Sequence, residues 1–228
     1  MAATSRRSAD ALGLAGDGDD LDLITTIEDS FGLRFGDETA QWTTVGELHE
    51  ALVGQIAPTA AAGRCATSMA FYRLRAALTR LATPASPITP RTRLEGLARI
   101  TPNRLLAALR RELGVDMPSA SLSARGEVGL LLLLAGLAAV PLAIAVHPLW
   151  PSLALLPVGW VMVRHDPGWF GEMSVGDLAR VVALRNFNHF AALGADSRPD
   201  AVWRTLCALI EEETGRAAKS IRPDTRFY

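Results

Sequence analysis

The sequence predicts an all-α protein: small helical bundles carrying a two-helix apolar hairpin. Three observations predict it. Apolar residues recur at helical spacing through most of the chain. Helix start and stop signals recur in matched pairs. One long apolar stretch, Val128 to Val163, is broken only by His147-Pro148-Leu149-Trp150-Pro151.

Five segments follow in order: 10–57, 66–122, 127–164, 168–190 and 197–228. In the first, Leu23, Ile24 and Ile27 line one helix face, closed by Phe31-Gly32-Leu33. Gly32 sits where a left-handed residue ends a helix, and the apolar residue after it seals the end. A further helix begins at Thr44-Val-Gly-Glu-Leu48. The hydroxyl followed three positions later by an acid is a capping-box pattern, with Leu48, Ala51 and Leu52 inward. In the second segment, Phe71, Leu74, Ala77, Leu78 and Leu81 share a face. Ile88-Thr-Pro-Arg-Thr-Arg-Leu94 follows, its proline keeping the helix from resuming. Leu105, Leu106 and Leu109 then lead to Leu113-Gly114-Val115, a second stop of the same kind.

The third segment reads as a membrane hairpin. Val128 to Val146 carries no charge, and a bilayer core needs about 20 such residues as helix. Arg125 precedes the pair and Arg164 follows it, while the turn between has no Lys or Arg. That bias places both chain ends on the cytoplasmic side of the inner membrane. Trp150, Trp160 and Trp169 fall near the expected interfaces. Pro141, Pro148, Pro151 and Pro157 are tolerated better there than in a soluble helix. Because the second apolar run is short, a re-entrant or interfacial segment and a buried core hairpin stay open as alternatives.

The fourth segment opens with Ser174-Val-Gly-Asp-Leu178, matching the earlier Thr44 motif, with Leu178, Val181 and Val182 inward. The fifth carries Val202, Leu206, Leu209 and Ile210 on one face. It then repeats the proline motif as Ile221-Arg-Pro-Asp-Thr-Arg-Phe227. Three pairs in a consistent order point to a duplicated unit. A single irregular helical domain with fortuitous caps is the plainer alternative, and exchange of the tail helix between two copies is another.

Charge and composition exclude several classes. The net charge of −1 excludes nucleic-acid binding by bulk charge. Acids dominate up to Gly63, whereas arginines dominate from Arg64 to Arg125, as in two mutually attractive units or two solvated faces. Cys65 and Cys207 lie in helical, apolar contexts and are expected as buried thiols, not a disulfide. The N-terminus has no apolar leader run, so no cleavable signal peptide is expected. Gly13 to Gly18 lacks the Gly-Lys-Ser/Thr of a phosphate loop. Asp17, Asp19, Asp20 and Asp22 lack calcium-loop spacing. His49, His147, His165 and His189 show no metal spacing. No catalytic residue, metal or cofactor is expected.

Leu21 to Leu33 followed by Thr44 to Leu48 resembles helices two to four of an acyl carrier protein. Leu12 to Asp20 before it resembles a group of degenerate carrier-like proteins. The tail from Ala201 to Phe227 resembles helix one of that fold, so joining tail to head restores the carrier order. Phe71 to Met117 resembles a second helix one and helix two, whose closing helix comes only after the hairpin. The resemblance implies two carrier-like bundles, one circularly permuted and one split by the hairpin. It also implies what is missing. The carrier's modified serine opens helix two, but Asp17 fills that slot in one unit and Arg99 or Ile100 in the other. Leu193-Gly-Ala-Asp-Ser197 mimics the approach to that serine, yet Arg198 and Pro199 follow. Ser197 reads alternatively as an N-cap with Asp200 three residues on. The resemblance implies that helices two and three meet enzymes through acidic residues. Asp17, Asp19, Asp20, Asp22, Glu28 and Asp29 are therefore the expected protein-docking face of a non-enzymatic, membrane-anchored scaffold associated with lipid or polyketide assembly. A functional membrane-tethered carrier acylated through Ser197 is the alternative. Arg104 to Arg111 is either a solvated face or a contact to anionic lipid.

Overall fold

A computed structural model describes residues 11–13, 19–36, 42–57, 63–82, 86–95, 97, 100–145 and 153–228. Among them the chain is all-helical, with isolated β-bridges in place of strands. In chain order the helices are α1 (Asp19–Phe31), α2 (Val45–Gln55), α3 (Ala66–Ala82), α4 (Pro102–Leu113) and α5 (Ala124–Ala145). Then come α6 (Leu155–Arg164), α7 (Val175–Arg185), α8 (Phe187–Ala192), α9 (Pro199–Thr214) and a 3-10 turn, Ala218–Ser220. Two compact units result: Met1–Leu74 with Asp177–Tyr228, and Arg75–Gly176.

The first unit is built around α9, which packs on α1, α2 and the 3-10 turn. Leu23, Ile27 and Phe31 of α1 and Leu48 and Leu52 of α2 meet Val202, Leu206, Leu209 and Ile210 of α9 in one core. Phe31 tilts against Phe187 at 4.8 Å between ring centres. Burying each such side chain contributes about 1.5–3 kcal/mol, so truncating Leu206, fully buried, costs about 2–5 kcal/mol. Helix α2 starts with the expected capping box: Glu47 N–H donates to Thr44 Oγ1 at 3.3 Å and the Glu47 carboxylate accepts Thr44 N–H at 3.1 Å. The Thr43 N–H, donating at 2.6 Å, and then that of Thr44 bond the ionised Glu47 carboxylate and hold it below its ordinary pKa. Gly32 takes φ 64° and Gly114 φ 63°, the left-handed residues that the two stop signals require.

The proline motifs and the Val-Gly motifs turn out to be partners. In the first unit Val45 N–H donates to Thr225 O at 2.9 Å and Gly46 N–H to Pro223 O at 2.9 Å. In the second, Val175 N–H donates to Thr92 O and Gly176 N–H to Pro90 O, each at 2.8 Å. Both loops hold themselves in shape alike: Arg222 N–H donates to Thr225 Oγ1 and Thr89 N–H to Thr92 Oγ1, each at 2.9 Å. The first turn of a helix has amide donors with no partner inside the helix. Each loop supplies carbonyls to those donors, and the approach is close enough to demand glycine. A Cβ on Gly46 would lie 2.7 Å from Pro223 O, and one on Gly176 2.8 Å from Pro90 O.

The second unit buries Ile88, Leu94, Leu105, Leu106, Leu109 and Met117. It also carries the hairpin, α5 against α6. Gly129 and Gly159 set its spacing. A Cβ on Gly159 would lie 2.6 Å from Gly129 O, and one on Gly129 2.7 Å from Met162 Cβ. Small residues at a crossing let helix backbones approach this closely. The described residues of 127–164 do not show two complete spans. Among the described residues no helix is long and apolar enough to cross a membrane. Helix α6 has ten residues, a rise of about 15 Å against a bilayer core of about 30 Å. Pro157, in its first turn, needs no amide bond there. The turn with His147, Pro148, Trp150 and Pro151 lies outside the described residues.

The sequence misplaced some side chains. Leu81 is 39% exposed and Val181 half-buried, while Ala179 and Ala183 are buried in its place. Of the two thiols, Cys207 is buried as expected but Cys65 is exposed, because it precedes the first residue of α3.

Candidate functional site

The acidic face on α1 is only partly available. Asp22 is exposed, as is the neighbouring Leu21. Asp29 pairs with Arg34 at 2.8 Å, and that contact raises the guanidinium's pKa. Glu28 accepts Phe35 N–H at 2.6 Å and Arg34 Nη1 at 3.4 Å, so it holds the loop after α1 in place. Asp19 and Asp20 belong to the first turn of α1, where negative charge suits the helix dipole. Asp17 lies outside the described residues. Of these acids Asp22, at the N-terminal end of α1, is exposed with no ion pair among the described residues.

Ser197 is 3% exposed, and its hydroxyl donates to Ala57 O at 3.1 Å. It does not cap α9. Arg198 takes the N-cap position with no side-chain bond, and Pro199 begins the helix. Proline fixes φ where no amide donor is missed, so the helix starts without a hydroxyl cap. Asp196, beside Ser197, chelates Arg198, Nε and Nη2 each at 2.9 Å, which lowers the carboxyl to about 2. Arg99, in the second missing-serine slot, lies outside the described residues, and Ile100 is 41% exposed.

The histidines stay apart. His49 Nε2 faces Pro199 O at 3.1 Å, its ring edge-on to Trp203. His165 Nδ1 faces Val161 O at 3.0 Å. His189 Nε2 lies 3.1 Å from Arg73 Nη1, and burial with that cation lowers its pKa. Among the described residues no group of His, Cys, Asp and Glu is placed to hold a metal ion.

Sequence reasoning missed a cleft in the first unit. It holds about 640 Å³ between the Gly63–Thr67 segment, α7 and α9. Cys65, Arg180, Asp196, Arg204, Glu211 and Glu212 reach its wall. The Ser68 amide, at the start of α3, bonds the Cys65 sulfur and lowers its pKa. Cys207, buried in α9, is pushed up to about 11. The available signal was local: Cys65 stands directly before a helical run, where a thiolate is favoured. Arg64 is not free to work in the cleft, since its Nη2 donates to Leu193 O at 2.7 Å.

Among the described residues most of the exposed large apolar side chains belong to the hairpin. Leu131, Leu134 and Leu137 of α5 are 54–65% exposed, and Trp160 of α6 is 57% exposed. Leu130, Val158 and Val161 are exposed beside them. At its base, Asp166 gathers the chain. Ser123 N–H donates to its carboxylate at 3.0 Å, Gly168 N–H at 3.2 Å, and the Ser123 hydroxyl also donates. Burial works to raise the Asp166 pKa, but these donors outweigh it and the net shift is downward. Comparison with family models, with curated proteins and with solved structures finds no match to this chain.

Proposed function

We propose that this chain is a non-enzymatic scaffold, anchored by its hairpin in the cytoplasmic membrane and docking a protein partner on the start of α1. The observation that carries the anchoring is the exposed leucine stripe of α5. Leu130, Leu131, Leu134 and Leu137 occupy one side of that helix, and all remain uncovered. An uncovered apolar patch of this kind marks a membrane or protein contact. The uncharged run of α5 and α6, with Arg125 and Arg164 at its ends, favours lipid. The short α6 suits a hairpin that enters from one side and returns, with both chain ends cytoplasmic.

The scaffold role rests on the resemblance to acyl carrier proteins. The paired proline and Val-Gly clamps support a duplicated unit, and the tail clamp joins the two ends of the chain as a permuted carrier requires. Asp17 stands where the carrier's serine belongs, so the unit retains a carrier's docking helix without its acylated residue. The partner is then an enzyme or true carrier of lipid or polyketide assembly, presenting a basic patch. Charge pairing of this kind sets association rate and specificity.

Alkaline carbonate extraction tests the anchor. The wild-type chain stays with the membrane pellet, and a Leu131→Glu, Leu134→Glu, Leu137→Glu variant moves to the supernatant. Release of the wild type refutes the anchor. Pull-down tests the dock: charge reversal at Asp19, Asp20 and Asp22 abolishes capture of the partner, and capture that survives reversal removes the acidic face from consideration.

A further inference from the structure

The geometry points to a cationic collar at the neck of the hairpin, Arg104, Arg125 and Arg164, that binds the headgroups of anionic phospholipids. The inference rests on the membrane anchoring proposed above. Each arginine is brought to one place by a named contact to the Asp166–Gly168 turn. Arg164 ends α6, two residues before Asp166. Arg125 stands in the first turn of α5, two residues after Ser123, whose N–H and hydroxyl bond the Asp166 carboxylate. Arg104 follows Asn103, whose side chain donates to Asp166 O at 3.1 Å and whose N–H donates to Pro167 O at 3.3 Å. Three elements distant in sequence thus each carry an arginine one or two residues from a contact at that turn, where the apolar hairpin begins.

All three arginines are exposed. The Asp166 carboxylate of that turn is already occupied, since it accepts from Ser123 and Gly168. Glu127, exposed one turn into α5, and Glu95, on the wall of the crevice beside Trp169, are opposing charges nearby. Other arginines of this unit are paired differently: Arg80 with Glu112, Arg93 with Glu172 and Arg110 with Asp116. Trp169, 50% exposed, walls a crevice of about 220 Å³ with Ile100, Leu105 and Phe170 beside the same neck. An exposed indole next to guanidinium groups is the chemistry of the headgroup layer. Guanidinium forks match phosphate oxygens in pairs. The committed occupant is therefore the anionic phosphodiester headgroup of a bilayer lipid.

The test offers the purified full chain two vesicle populations at once, one of phosphatidylcholine and one of equal parts phosphatidylcholine and phosphatidylglycerol. Flotation reads the distribution. The wild type enters both and favours the anionic vesicles; Arg104→Gln, Arg125→Gln, Arg164→Gln together lower that preference by about two orders of magnitude at low salt. A control variant with the same charge change, Arg180→Gln, Arg204→Gln, Arg222→Gln, keeps it. Equal distribution of the wild type overturns the collar while leaving the anchor standing. Retained preference in the collar variant, or equal loss in the control, also overturns it. Binding to neither population removes the membrane reading itself. Circular dichroism of each variant excludes unfolding as the cause.

Discussion

Two alanine substitutions in one helix should have opposite effects. Gly46 and Gly54 both lie in α2. At Gly54 a Cβ meets nothing within 4 Å, so Gly54→Ala gains only helix propensity, about 0.5–1 kcal/mol. At Gly46 the Cβ would sit 2.7 Å from Pro223 O and 3.1 Å from Pro223 Cβ. The nearest atom is backbone, so the loop itself must retreat. That weakens the bonds Gly46 N–H to Pro223 O and Val45 N–H to Thr225 O, each worth about 0.5–1.5 kcal/mol. Overpacking of this kind costs about 1–3 kcal/mol. After subtracting the propensity gain, Gly46→Ala is net destabilising by about 1–2 kcal/mol. At about 2–4 °C per kcal/mol for a chain of this size, Tm falls by about 2–8 °C, while Gly54→Ala raises it by about 1–4 °C. Thermal melts of the micelle-solubilised chain, followed by helical circular dichroism, read both. Gly176→Ala repeats the experiment in the second unit, with Pro90 O at 2.8 Å. If Gly46→Ala and Gly54→Ala shift Tm in the same direction, the proline loop does not clamp the helix as described.

Three further outcomes are expected. A thiol reagent labels the native chain once, at Cys65, and a second time only after denaturation. Cys65 carries a lowered pKa and is exposed, whereas Cys207 is buried and raised to about 11; Cys65→Ser abolishes native labelling. The folded Asp196 carboxyl, at about 2, lies below its unfolded value, so its contribution is present above the unfolded pKa near 4 and is lost as pH falls towards 2. Asp196→Asn therefore flattens the stability profile in that window, as denaturant titration at each pH would show. Co-expression with a phosphopantetheinyl transferase leaves the intact mass unchanged, because Ser197 Oγ is buried on Ala57 O; a shift lost on Ser197→Ala would establish the functional-carrier alternative.

The all-helical class was legible because it follows from local pattern. Helix period, Gly32 and Gly114 in left-handed geometry, and the Thr44 capping box are each determined within a few residues. The motif pairs were legible as repeats, but their reason was not. Nothing local says that Pro223 O closes on Gly46, since the two are joined only through the tertiary fold. Glu28 shows the same limit at the candidate site. In sequence it is one more acid on a helix, and only the return of Phe35 and Arg34 makes it structural. The second apolar run showed its hydropathy but not its helical length, because Pro157 is tolerated at a helix start and the chain before Leu155 has no helical cap to mark it. The cleft at Cys65 depends on residues from three separate segments, which no linear spacing reveals.

The neck of the hairpin explains how an apolar insertion leaves the second unit intact. Ser121 and Trp169 exchange both backbone bonds, at 3.1 and 2.8 Å, as an antiparallel bridge. Paired residues of that type lie about 5.5 Å apart between Cα atoms, a gap that a two-residue turn closes. The first unit makes the equivalent connection without any insertion: Gly32 and Thr44 are twelve positions apart, Gly114 and Ser174 sixty. Beyond the neck, Leu94 N–H donates to Met173 O at 3.1 Å and Val175 N–H to Thr92 O, so the clamp on α7 does not pass through the hairpin. Replacing residues 122–168 by Asn-Gly should then leave a helical chain that needs no detergent, its Tm lowered through the described contacts it loses, Asn103's bonds to Asp166 and Pro167. Those bonds are exposed and contribute about 1 kcal/mol or less apiece. Gel filtration in plain buffer and circular dichroism check both points. A shortened chain that aggregates, or that loses the helicity of α3, α4 and α7, would mean that the hairpin is part of the second unit's core. A monomeric, cooperative melt would show that the second unit folds without the hairpin.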